Sequence, residues 1–321
     1  MFGGHRSNAL RGRKACILFG LCTVIVVALF HYRNLIPVFF NWQSTPPIPR
    51  LIWQIFLDPA GPLGDLKPAR QSWSSLNPDH ALTLIDESEV AFWIGNMLKH
   101  RPHLESVLHE STPLVLRADI LPYILLAQYG GVYTDVDVQA LKPISTWVPE
   151  EHKESTRLVV GIEYDRLGWD GRWPTLEHSV QLCQWTIMAA ANHEVLWTVV
   201  DRAAYAVLDL ADKQLTSLSG LDLADNQVVI STTGPGMWTA VIMGYLRKNF
   251  RADLRFGDLS NITQPTLFHD VLVLPINFLG TRQLHSGSIR EGGPDALVRH
   301  RFKGSWKEDD PYVKWKTNRV R

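Results

Sequence analysis

Two aspartates one residue apart, Asp135 and Asp137, close the run Gly130-Gly131-Val132-Tyr133-Thr134-Asp135-Val136-Asp137-Val138. If 132–138 is a strand, residues i and i+2 leave it on one face, roughly 6–7 Å apart along the chain. Val132, Thr134, Val136 and Val138 take the other face. Two acids on one face repel unless a cation lies between them. A hard divalent ion such as Mn²⁺ or Mg²⁺ takes oxygen ligands and keeps positions open for phosphate oxygens. In an α/β sheet such a site belongs at the C-terminal end of a strand. The pair reads as a metal–diphosphate clamp. Its bland alternative is a solvated strand end, since average composition gives roughly one Asp-x-Asp triplet by chance in 300 residues. Context raises the clamp: an apolar helix, a Gly-Gly turn and an aromatic precede the acids, and Arg117 and Asp119 lie one helix upstream.

The elements around this segment alternate. Leu51–Phe56, His80–Ile85, Val132–Val138, Leu158–Tyr164 and Val271–Pro275 are apolar runs of strand length. Pro68–Leu76, Glu87–Leu98, Leu114–Tyr129, Glu194–Leu210 and Met237–Leu246 read as helices, with Asp86 a candidate N-cap. Pro122 is predicted to kink the helix over 114–129 or to mark its first turns. Gly130-Gly131 ends that helix, because glycine accepts the left-handed position after a helix without steric cost. Strands separated by helices predict an α/β domain over 50–306, a mostly parallel sheet flanked by helices on both faces.

With 321 residues, 45% apolar and 20% charged, the chain is neither disordered, collagen-like nor a polytopic membrane protein. Thirty-two basic and 32 acidic groups leave no excess to neutralise a phosphate backbone, so no nucleic-acid partner is expected. Twelve tryptophans hint at indole faces for sugars or bases, although indoles are more often core. Residues 15–30 are 16 uncharged residues, mostly apolar; as a helix they extend about 24 Å. Arg6, Arg11, Arg13 and Lys14 precede them and only Arg33 follows closely. We read 1–14 as a cytosolic tail, 15–32 as an uncleaved transmembrane signal anchor and 33–49 as a stem, which places the body in the lumen. A cleaved signal peptide and a buried soluble helix are the rival readings. A span this short suits the thinner membranes early in the secretory pathway. Asn261-Ile262-Thr263 is a glycosylation sequon and fits a lumenal body. Cys16 and Cys22 fall in the apolar run, so Cys183 stands alone in the body and reads as a small buried apolar residue. The polar segment 307–321 reads as a surface tail.

The motif Arg117-Ala118-Asp119 … Tyr129-Gly130-Gly131-Val132-Tyr133-x-Asp135-x-Asp137 resembles the signature of DxD-containing glycosyltransferases with a GT-A fold. More narrowly it is similar to the fungal Golgi α-1,6-mannosyltransferases that start the outer chain of N-glycans, glycosyltransferase family 32. Further blocks follow in that family's order: Ile48 to Gln54, Trp73 to Pro78, Val160 to Asp165, Gln184-Trp185-Thr186, Thr233 to Thr239, Asp270 to Pro275 and Phe302 to Lys307. Two places depart from it. Pro122 stands where many relatives have Arg, and Thr281 to His285 has little likeness to the usual pattern.

The resemblance implies roles. Asp137 is a direct ligand of Mn²⁺ or Mg²⁺, and Asp135 contacts ribose or the metal. Asp119 holds donor sugar or ribose, against the plainer reading of a helix N-cap. Arg117 pairs with the diphosphate or orients Asp119, against a surface ion pair. Tyr133 belongs with the donor-binding residues. His300 is a metal ligand, and Ser305, Trp306 and Lys307 contact phosphate or sugar, against a packed C-terminal turn. Trp53 and Gln54 touch the base or pack in the core. Glu163 and Asp165 line the acceptor side. Gly234-Pro235-Gly236 opens a helix whose N-terminus faces an anion or sugar hydroxyl, or is an ordinary capped turn. The implied reaction is retaining transfer of mannose from GDP-mannose in α-1,6 linkage to a glycoprotein N-glycan, at the Golgi membrane, in association with other Golgi mannosyltransferases. Rival readings are a family member with another donor or acceptor, such as a galactosyl- or glycolipid mannosyltransferase, a non-catalytic subunit of a mannan-synthesising complex, and a lumenal lectin-like binder.

Overall fold

Apolar residues alternate between two faces along Leu51–Ile55 (β1): Trp53 and Ile55 enter one core cluster, and Ile52 enters a second on the opposite face of the sheet. The computed structural model describes residues 47–57, 66–110, 113–168, 176–281, 286–289 and 293–301. The expected anchor, nearly all of the stem, most of the Thr281–His285 loop, the Ser305-Trp306-Lys307 segment and the tail lie outside them. No described helix is long and apolar enough to cross a membrane.

After β1 come α1 (Lys67–Leu76), β2 (Ala81–Ile85), α2 (Glu87–Leu98), α3 (Pro102–Glu110) and α4 (Leu114–Tyr129). Then follow β3 (Gly131–Thr134), β4 (Val138–Ala140), β5 (Leu158–Asp165), β6 (Val180–Leu182) and β7 (Thr186–Ala189). Helices α5 (Glu194–Gln214), α6 (Asn226–Thr232) and α7 (Pro235–Asn249) precede β8 (Thr266–Phe268), β9 (Val271–Leu274), the short α8 (Ile276–Leu279) and β10 (Val298–His300).

The main sheet has the order β2-β1-β3-β7-β5-β9-β8, with β6 beside β5. Strands β1, β2, β3, β5 and β9 point the same way, while β6, β7 and β8 run against them. The sheet is thus mostly parallel in strand direction, with the reversed β7 set between β3 and β5. Helices α2 to α5 and α7 cover one face through residues such as Ile94, Leu108, Ile120, Val199 and Trp238. The other face carries α1, α8 and a separate antiparallel ribbon of β4 and β10, packed around Trp73, Trp147, Val132 and Leu272. Asp86 caps α2 as its position predicts, accepting from the Ser88 and Glu89 amides. Cys183 is buried and unbridged.

Two expectations change. Helix α4 carries Pro122 mid-helix rather than in its first turns, because the residues before it (Leu116, Ile120 and Leu121) are already buried helix. The strand expected over 132–138 breaks: β3 ends at Thr134, and β4 begins at Val138. Between α4 and β3 the chain needs two glycines. Gly130 and Gly131 have φ of +66° and +100°. A β-carbon on Gly131 would lie 2.5 Å from the Leu51 carbonyl oxygen, and one on Gly130 2.6 Å from the Ala191 nitrogen. The turn therefore lies tight against β1 and the end of β7.

Candidate metal and donor site

The interruption of the strand makes the site. The Asp135 amide donates to the Trp185 carbonyl (3.0 Å), and the Val138 amide donates back to the Asp135 carbonyl (3.1 Å). Asp135, Val136 and Asp137 are therefore a turn at the C-terminal end of β3, not three strand residues sharing faces. The two carboxylates still converge. The convergence comes from the turn and from a third residue brought by the ribbon.

Strand β10 pairs antiparallel with β4, so His300 lies opposite Val138, and the Arg301 amide donates to the Asp137 carbonyl (3.2 Å). His300 Nε2 is 3.1 Å from Asp137 Oδ1 and 4.0 Å from Asp135 Oδ2. One ligand atom from each of the three residues lies within 4.8 Å of the other two. The Trp185 ring packs on His300 with centroids 4.4 Å apart, so Trp185 holds Asp135 by its backbone and His300 by its side chain.

Tyr133 is buried and its phenol donates to Asp135 Oδ1 at 2.5 Å. Burial pushes that phenol well above its ordinary value, and the nearby Asp135, Asp119 and Asp137 add to the rise. Burial also pushes the Asp135 carboxyl up to about 6; His300 and the Tyr133 hydroxyl pull it down, and Asp137 and Glu163 push it up. About a third of the Asp135 side chain still meets solvent, against an eighth of Asp137. Two crowded acids with one imidazole beside them fit a divalent cation.

Asp119 comes from α4 and lies near enough to Tyr133 to raise its phenol. It lies inside the helix, so it is not an N-cap. Its Oδ2 accepts from the Thr233 hydroxyl at 2.7 Å. Thr233 is itself held by its carbonyl, which accepts from the Tyr123 hydroxyl (3.1 Å) and the Gln184 amide (3.4 Å). Nothing in the residue types alone marked Thr233, Gln184 or Trp185; only their membership in similar blocks did.

Other expected residues fall elsewhere. Trp53 is 1% exposed, its indole N–H donates to the Gly130 carbonyl (2.8 Å), and its ring packs against Trp93 and Tyr129. It is core and presents no face to a base. Gln54 is equally buried, its amide 3.5 Å from the Asp135 carbonyl. Arg117 forms its ion pair with Glu87 at the start of α2. Asp165 is buried and accepts from the Leu167 and Asn261 amides and the Ser260 hydroxyl, so it ties loops together rather than facing an acceptor. Glu163 stays by the cleft, near enough to raise Asp135, and accepts from the Gln181 amide at 3.4 Å. The start of α7 is already taken by an anion of the protein itself. A β-carbon on Gly236 would lie 2.5 Å from Glu177 Oε2, and His178 Nε2 is 3.0 Å from the Gly236 carbonyl.

Residues 65–154 match the family described as "Glycosyltransferase sugar-binding region containing DXD motif". The "Initiation-specific alpha-1,6-mannosyltransferase" of Schizosaccharomyces pombe is 36% identical over 267 residues, covering 82% of this chain and 64% of that one. The protein of the same name from Candida albicans is 28% identical over 294 residues, covering 84% and 75%. This chain thus spans slightly under two thirds of the first relative's length. Among solved structures, the "PaToxG Glycosyltransferase" aligns over 62% of this chain and 70% of its own, at 16% identity and a TM-score of 0.43. The turn bearing Asp135 and Asp137 lies within the matched segment, so residues 65–154 are similar to the sugar-binding region of the DXD glycosyltransferases, and the longer alignments make the chain similar to the initiation-specific α-1,6-mannosyltransferases.

Proposed function

We propose that the protein is a retaining α-1,6-mannosyltransferase with a GT-A-type fold, which moves mannose from GDP-mannose to a mannose of a protein N-glycan. The observation that carries this reading is the convergence of Asp135, Asp137 and His300 after β3, with Asp119 near enough to act on Tyr133, the Asp135 partner. The names of the two relatives support the sugar and the linkage. The charge asymmetry of residues 1–40 supports a single-pass anchor with the body in the Golgi lumen.

The residues of the cleft divide the work. Asp135, Asp137 and His300 would hold Mn²⁺ or Mg²⁺, whose positive charge, when bound, offsets the charge growing on the leaving diphosphate. Tyr133 fixes one oxygen of Asp135 by its hydrogen bond and leaves the other to turn toward the cleft. Trp185 fixes the ring plane of His300. Asp119, oriented by Thr233, is placed to accept from hydroxyls of the donor sugar or ribose. In the transfer, the bond from the anomeric carbon to the diphosphate oxygen breaks and a bond to the acceptor 6-oxygen forms. The acceptor proton passes to the departing phosphate oxygen on the same face, so no protein nucleophile is required. The resemblance assigns Ser305, Trp306 and Lys307 to phosphate or sugar contacts. The test offers GDP-mannose, UDP-galactose, UDP-glucose and UDP-N-acetylglucosamine separately to the full chain in detergent, with Mn²⁺ and a high-mannose oligosaccharide. A hexose added only from GDP-mannose, in α-1,6 linkage by NMR, is the expected result. Hexose from a UDP donor overturns the mannosyl assignment, and no Mn²⁺-dependent GDP binding overturns the clamp.

A further inference from the structure

The sequence contains one Asn-x-Ser/Thr triplet, Asn261-Ile262-Thr263, and the reaction described above makes no use of it. It lies in the turn after the short helical segment Phe256–Leu259. Asn261 has φ of +58°, a left-handed position that asparagine tolerates far better than most residues. The turn is pinned from below. The Asn261 amide donates to Asp165 Oδ2 (2.6 Å), and the Ser260 hydroxyl donates to Asp165 Oδ1 (2.6 Å). Ile262, the middle residue, packs against the main core, whereas Asn261 and Thr263 on either side are exposed. The backbone is thus fixed by a buried carboxylate and an apolar anchor, while the two side chains that define the triplet point outward. A bulky polar group on Asn261 meets solvent and disturbs none of these contacts.

We propose that Asn261 is a modification site and carries an N-linked oligosaccharide. This rests on the lumenal placement of the body proposed above. The donor class is a lipid-diphosphate-linked oligosaccharide. The Asn261 Nδ2 atom forms a bond to the anomeric carbon of the first N-acetylglucosamine as that carbon's bond to the lipid diphosphate breaks. The amide gives up one proton, and the lipid diphosphate leaves. Thr263 supplies the hydroxyl that the triplet requires.

The test uses the full chain, tagged at its C-terminus and expressed in a fungal host, with T263A and T263S variants. T263A removes the hydroxyl without touching the left-handed asparagine; T263S keeps it. On one microsome preparation, protease protection reads the side of the membrane. Endoglycosidase mobility and mass spectrometry of the Asn261 peptide read the modification. The expected result is a protease-protected body with one endoglycosidase-sensitive mobility step, lost in T263A and kept in T263S, with Mn²⁺-dependent GDP binding equal in all three. A protected body whose Asn261 peptide is wholly unmodified overturns this proposal and leaves the lumenal reading standing. A body open to protease overturns both.

Discussion

Asp135 and Asp137 illustrate a conflict between stability and chemistry that single substitutions expose. The carboxyl of Asp135 is raised to about 6 from an ordinary 3.8, so between those values the native state holds more protons than the unfolded chain. Stability from this group therefore falls as pH rises through that window, and the whole penalty is present above about pH 6. Replacing Asp135 by Asn keeps an acceptor for the Tyr133 hydroxyl and removes the charge. In chelator at neutral pH, D135N should be more stable than the parent by about 1 kcal/mol, a modest figure because water screens the open third of the side chain. The difference should vanish on acidification in thermal melts, and transfer should be lost. An apo D135N no more stable than the parent would mean that the acids are not in conflict. D137A should lower transfer by about 10²–10³-fold or more, with a nearly unchanged melting temperature in chelator. Near-normal turnover of D137A sinks the clamp. At this scale the residue types were legible in part. Asp-x-Asp pointed to a cation site, and the structure brings the two acids beside His300, but the argument from strand alternation did not hold, because the Val138 amide closes a turn on Asp135. Trp53 was not legible at all. Whether an indole serves a base or the core depends on Trp93 and Tyr129, which approach it only in three dimensions.

Elements matter here through where they stop. Helix α4 ends at Gly130, and Gly131 opens β3 with its α-carbon pressed against the Leu51 carbonyl. Changing Gly131 to Ala places a β-carbon at 2.5 Å from backbone oxygen at a φ of +100°, so strand β1 or the turn must shift. The expected cost is about 3 kcal/mol or more, read by urea denaturation. Mn²⁺ affinity should also fall in whatever fraction folds, since the acids are displaced with the strand. A silent G131A would show that the Gly-Gly pair is not what positions the site. The helix boundaries around this junction were readable because caps and glycines act locally. Asp86 reaches only to Ser88 and Glu89. The ribbon of β4 and β10 was unreadable for the opposite reason: each strand has three residues, and each exists only because the other is there.

At the scale of the whole molecule, the sheet gathers the C-terminal ends of β3 and β5 on one edge, with the reversed β7 between them. Asp135 and Glu163 reach the same cleft through that arrangement. Alternation of strands and helices made the α/β class legible, whereas the reversal of β7 was not, since a four-residue run carries no direction. The ribbon has one more consequence. His300 belongs to the last described strand and Asp137 to the turn before β4, so a cation shared by them would latch β10 onto that turn. Loading such a latch would couple cation binding to docking of the ribbon. Trypsin offers a readout, because Arg299 and Arg301 flank the histidine and Arg299 is paired with Gln139 in the ribbon. Mn²⁺ should slow cleavage at these two arginines in the parent and leave it unchanged in D137A. Equal rates in both would mean that the ribbon stays closed without the ion. A chain truncated before β10 should keep its main sheet but lose the His300 ligand and with it the latch.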